Sequence, residues 1–140
     1  MTIAALAMWL FAVWLPAAHF HLPGRPVLIY ALLATGILII GSGVVEFRRV
    51  RTTVNPRQPE AATEMVTRGV YNRTRNPMYL GFAFMLFAWG VYLSNVASFT
   101  IIFGFVAYIT RFQIVPEERA LESKFGQSFR FYRAKTRRWV

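Results

Sequence analysis

The residues best suited to chemistry are few and stand close to apolar runs. Only six acidic residues occur in the 140-residue chain, and two of them, Glu117 and Glu118, are adjacent. Paired carboxylates suit an ammonium group or ribose hydroxyls, and nearby Arg111 suits an anion. The same residues also suit a helix start, with Pro116 in its first turn and acids complementing the dipole. A second group is Arg75-Asn76-Pro77-Met78-Tyr79-Leu80-Gly81. Pro77 opens an apolar segment, where its missing N–H costs nothing. The free N–H groups of that helix start, with Arg75 and Asn76 beside them, suit a carboxylate. The plainer reading is a helix cap with an arginine and a tyrosine at lipid headgroups. A third group, Glu118, Leu121, Phe125, Phe129 and Tyr132, recurs every three or four residues, so one helix face is apolar and aromatic. Such a helix lies on a membrane surface or covers a cavity.

Other chemistries are excluded early. The chain has no cysteine, so disulfides, thiolate metal sites and cysteine nucleophiles are absent. His19 and His21 stand apart from every carboxylate, which leaves no metal constellation and no hydroxyl–histidine–acid triad. No strand, glycine-rich loop and helix follow one another as a nucleotide fold requires.

The elements that must position these residues are helices in a membrane. The chain is 56% hydrophobic yet carries a net charge of +10, with a mean hydropathy of +0.40. Apolar and basic residues occupy different stretches. Spans are expected at about residues 3–20, 27–47, 78–93 and 96–115. Polar segments occupy residues 48–77 and 116–140, all within a single domain covering 1–140. Ser94 and Asn95 make the third and fourth spans a tight helical hairpin, and an amphipathic cytosolic helix follows Pro116. The first run reads as a membrane helix, not a cleaved leader, because Met1 and Thr2 supply no positive charge before it. Gly36, Gly41, Gly43, Gly81, Gly90 and Gly104 are small residues suited to close helix packing.

Charge sets the orientation. Arg48, Arg49, Arg51, Arg57, Arg68, Arg73 and Arg75 lie between spans two and three. Arg111, Arg119, Lys124, Arg130, Arg133, Lys135, Arg137 and Arg138 follow span four, whereas Arg25 alone lies opposite. This asymmetry predicts an all-α membrane protein with four spans and both termini in the cytoplasm, and the plasma (inner) membrane is its expected location. Basic residues flanking apolar runs suit anionic lipid headgroups and do not form a nucleic-acid-binding domain.

Together these segments resemble the integral-membrane methyltransferases that include isoprenylcysteine carboxyl methyltransferases and phospholipid methyltransferases. The resemblance runs from about Thr52 to Trp139. It rests on Gly69-Val70-Tyr71, the Arg75 to Gly81 segment, Pro116-Glu117-Glu118, Leu121, Phe125-Gly126, Tyr132 and Arg137-Arg138-Trp139. It implies S-adenosylmethionine as methyl donor, held by Gly69, Tyr71, Arg75, Asn76, Pro77, Tyr79, Leu80, Gly81, Glu117 and Glu118. Asn76 stands where carboxyl methyltransferases usually have histidine, and Phe129 where tyrosine is common.

The implied reaction is in-line methyl transfer to a lipophilic acceptor entering from the bilayer. For a carboxylate of the isoprenylcysteine type, Arg111 orients the acceptor and no base is needed. For a phospholipid amine, a proton must leave first, and Glu118 is the candidate base. Arg111 and Glu118 are therefore the expected catalytic residues. A four-span transporter or a noncatalytic scaffold are the readings outside this class.

Overall fold

The computed structural model describes residues 1–50 and 64–140. Arg51, Arg57, Pro56 and Pro59 of the expected inner loop lie outside the described residues. Among the described residues there are six α-helices: α1 (Thr2–Trp14), α2 (Arg25–Arg49), α3 (Pro77–Leu93), α4 (Thr100–Ile109), α5 (Val115–Phe125) and α6 (Gln127–Lys135). Among the described residues there is no strand, only the isolated bridges His19–Asn95 and Thr74–Arg137. The chain divides into two compact units, Met1–Leu38 with Gly81–Tyr108, and Ile39–Leu80 with Ile109–Val140.

Among the described residues, two helices are long and apolar enough to cross a membrane: Arg25–Arg49, with 25 residues, and the continuous helical stretch Ala97–Phe125, with 29. The other two expected spans are shorter. α3 follows its expected bounds over 17 residues, roughly 25 Å of helix. The first span, expected over 3–20, ends early. α1 has 13 residues, about 20 Å against a hydrocarbon core of about 30 Å. Its end follows from Pro16. The proline ring would meet the carbonyl four residues back, and the preceding residue is driven out of the helical region. Leu15 accordingly sits at φ −120, ψ 63, and Pro16–Ala18 forms a 3-10 turn.

In the first unit, α1 is tied to residues 89–98 by side chains that reach its carbonyls. Trp89 Nε1 donates to the Ala5 carbonyl at 3.0 Å, and Ser98 Oγ to that of Met8 at 2.7 Å. Asn95 Nδ2 donates to the Leu15 carbonyl at 2.8 Å, while its Oδ1 accepts the Ser98 N–H at 3.2 Å. Backbone bonds from Phe20 to Ser94 and from Val96 to Ala18 complete the join. Arg25 donates to Ser94 Oγ at 2.7 Å. Asn95 is fully buried, so both of its amide ends must be satisfied inside the protein. Asn95→Ala is expected to cost about 2 kcal/mol, because it takes the side-chain acceptor from the buried Ser98 N–H and removes the donor to the Leu15 carbonyl. A lower thermal midpoint in detergent micelles, compared with the Val96→Ala control at an exposed site, checks this.

The glycines divide into two kinds. A Cβ on Gly36 would lie 2.8 Å from the Gly81 carbonyl oxygen, and one on Gly90 would lie 2.9 Å from the Phe99 ring. Gly41 and Gly104, expected to pack in the same way, face nothing within 4 Å.

In the second unit, Pro116 stands in the first turn of a helix as expected, but that helix is continuous with the one before it. A π-turn at Thr110–Ile114 leads straight into α5, with Pro116 in its first turn. The widened turn provides the room that the proline ring needs. The chain breaks later, at Gly126, whose φ of 53 and ψ of −121 end α5. The single stripe expected from Glu118 to Tyr132 is thus carried by two helices.

Candidate functional site

Everything that gathers at the candidate site belongs to the second unit. Gly69 takes a φ of +59, and a Cβ there would lie 2.6 Å from Glu46 Oε1. The 3-10 turn Gly69–Asn72 that follows buries Tyr71. The Tyr71 ring packs edge-on to Phe47 at 5.5 Å, and its carbonyl accepts the Tyr132 hydroxyl at 2.8 Å. Burial, then the neighbouring Tyr132 and Glu117, push the Tyr71 hydroxyl well above its ordinary range, so it stays protonated. Thr74 Oγ1 accepts the Asn76 N–H at 3.2 Å, fixing the approach to α3.

The adjacent glutamates face different partners. Glu117 Oε1 accepts the Tyr79 hydroxyl and Gln113 Nε2, both at 2.7 Å. Both donors are neutral. Glu118 is buried and meets two guanidiniums instead. Arg138 grips it with Nε at 3.0 Å and Nη2 at 2.7 Å, one to each carboxylate oxygen. Arg75 Nη2 lies 3.2 Å from Oε1. Such a fork is the strongest geometry open to an arginine and a carboxylate.

The two arginines differ in environment. The Arg75 side chain is 9% exposed and that of Arg138 is 36% exposed. Burial lowers the Arg75 guanidinium from its ordinary value, with Glu118 opposing, whereas the Glu118 hydrogen bonds raise Arg138. Two cations against one carboxylate leave a positive charge in excess. Moreover, Arg75 Nε and Nη1 are buried without any acceptor. Unmet donors on a buried cation are costly, and they are met when an anion arrives.

The C-terminal residues 136–139 close one side of this cluster. The Arg138 carbonyl accepts Asn76 Nδ2 at 2.9 Å and Thr74 Oγ1 at 3.3 Å. The Arg75 N–H donates to the Arg137 carbonyl at 3.0 Å. Trp139 Nε1 donates to Thr110 Oγ1 at 3.3 Å, in the π-turn.

The structure therefore brings together Tyr71, Arg75, Asn76, Pro77, Tyr79, Glu117 and Glu118 within one unit, with half-buried Leu80 following on α3. Gly81 falls in the first unit, packed against Gly36. Gly69 meets Glu46. Arg111 is exposed on the π-turn and takes part in none of the hydrogen bonds described above. Sequence reasoning did not name Gln113, Thr74 or Arg138 as site residues, although Arg138 stands in the terminal motif of the resemblance. Gln113 was legible as the residue four before Glu117 on one helix. The pairing of Arg138 with Glu118 was not, because twenty residues and the break at Gly126 separate them.

The sequence that builds most of this site matches a family of known proteins. The phospholipid methyltransferase family matches over residues 25–128, from the start of α2 into α6, and that range contains both glutamates and the Arg75 segment. The chain belongs to the phospholipid methyltransferase family. As a member it is a membrane methyltransferase of the kind the sequence resemblance pointed to. The chain is also 43% identical over 63 residues to an uncharacterized protein of Haemophilus influenzae, covering 45% of this chain and the whole of that protein. No solved structure matches the chain.

Proposed function

We propose that the protein transfers a methyl group from S-adenosylmethionine to a lipophilic acceptor drawn from the membrane. The observation that carries this reading is Arg75, a buried guanidinium with two unused donors beside the carboxylate of Glu118. The amino-acid end of the donor carries a carboxylate and an ammonium group, the charges that such a pair suits. When bound, the donor supplies an already activated sulfonium methyl group. The protein's own residues then have to orient it and exclude water, which is worth on the order of 7–11 kcal/mol. Arg75 takes the carboxylate, Glu118 the ammonium, and Glu117 with Tyr79 the ribose side.

The acceptor this site suits is a carboxylate of the isoprenylcysteine type. Both oxygens of Glu118 are already engaged by guanidiniums, whereas a carboxylate acceptor needs no base. Arg111, exposed on the π-turn, would orient it. A phospholipid amine is the second reading, in keeping with the family's description as phospholipid methyltransferase. Its proton would then pass to Glu117, which faces only neutral donors. We place the protein in the inner membrane with its termini and basic segments cytoplasmic, at anionic headgroups.

Calorimetry of S-adenosylmethionine with the full chain in nanodiscs tests the proposal. Arg75→Gln is expected to weaken binding by tenfold or more, roughly the worth of a hydrogen bond to a charged group. Absence of binding by the wild-type protein overturns it. Mass spectrometry of lipids and prenylated peptides after incubation with labelled donor separates ester from N-methyl products.

A further inference from the structure

Glu118 gives its fork to the wrong arginine, judged by burial alone. Of its two partners, Arg75 is the more deeply buried and the more in need of a counter-charge. Yet Arg75 receives a single contact at 3.2 Å, while the half-exposed Arg138 occupies both carboxylate oxygens. A carboxylate freed from Arg138 would turn to Arg75 and satisfy the donors that now stand open.

We infer that Arg138 is a positioning residue, which holds Glu118 away from a fork with Arg75 and so keeps Arg75 Nε and Nη1 open to the carboxylate of the methyl donor. This rests on the reading of the cluster as the donor site. Arg138 need not touch the donor; it acts through Glu118. Its backbone anchors the C-terminal residues independently of its side chain, because the Arg138 carbonyl accepts Asn76 and Thr74. The side chain can therefore be altered while those bonds persist. Lysine retains the charge but cannot span both oxygens, since its ammonium is a point donor.

The test compares S-adenosylmethionine with its decarboxylated form, which keeps the sulfonium, adenosine and amine but lacks the anion. Dissociation constants are measured for the full chain in nanodiscs. The wild type is expected to prefer the carboxylate-bearing ligand roughly tenfold to a hundredfold. Arg138→Gln is expected to lose most of that preference by weakening the carboxylate-bearing ligand alone, and Arg138→Lys to lose part of it. A merely structural role would weaken both ligands together and leave the ratio intact. An unchanged ratio in Arg138→Gln overturns the inference; should that variant not fold, an unchanged ratio in Arg138→Lys does so. Equal binding of the two ligands by the wild type also overturns it, while leaving the proposed function standing. Binding of neither ligand overturns the proposed function itself.

Discussion

Glu118→Gln is expected to reduce methyl transfer by about a hundredfold and to lower the thermal midpoint of the protein. Glutamine keeps the shape of the side chain but removes the charge set between Arg75 and Arg138. Arg138 can turn into water, because its side chain is 36% exposed. Arg75 cannot, because its own is 9% exposed. Breaking a buried pair in this way costs about 3–5 kcal/mol, since it leaves an uncompensated charge inside. The catalytic loss follows separately from the ammonium contact assigned to Glu118, at roughly the worth of a charged hydrogen bond. Glu117→Gln makes the contrast. Its partners Tyr79 and Gln113 are neutral donors to a single oxygen, and an amide oxygen accepts from both. Its stability should change by less than that of Glu118→Gln. Melting curves and transfer assays on the two variants, side by side, check the prediction. Equal destabilisation by both would contradict the charge argument.

The second large effect is expected at Gly36. A Cβ there would lie 2.8 Å from a backbone oxygen, that of Gly81, and 3.1 Å from the Met85 side chain. The side chain can shift, but the oxygen moves only with α3. Gly36→Leu should therefore force the two backbones apart, with an overpacking cost of about 1–3 kcal/mol or more. Gly41→Leu, five residues along the same helix, meets nothing within 4 Å. There the gain in helix propensity over glycine, on the order of 0.5–1 kcal/mol, is unopposed. The two substitutions should thus change the thermal midpoint in opposite directions. Circular dichroism melts in one detergent are sufficient to compare them.

Much of this protein was legible before any coordinates. Pro77 and the turn at Ser94 bound α3 where local stereochemistry says they must, and the apolar run of α2 reads directly as a long helix. Glu117 and Glu118, together with the Arg75 segment, stood out as the chemically capable residues because acids are scarce and the donors cluster. Family membership followed from those same residues. Local rules failed where two of them competed. Pro16 ended α1 inside an apolar run that hydropathy reads straight through, and hydropathy has no term for a missing N–H. Pro116 looked like the start of a separate helix, yet the π-turn before it absorbed the ring. Gly126 looked like one more residue in a helical stripe, yet it reverses into a positive φ and starts a new helix.

What the sequence by itself determined is the inventory: which residues carry charge, which runs are apolar, and which carboxylates are available. What only the tertiary structure decided is the pairing. Glu117 and Glu118 are neighbours of the same type, but adjacent helix positions point about 100° apart. One therefore meets neutral donors and the other two guanidiniums. Periodicity describes a helix one turn at a time. It carries no information on which distant arginine a carboxylate will meet, because that depends on the break at Gly126 and the return of residues 136–139 to the start of α3.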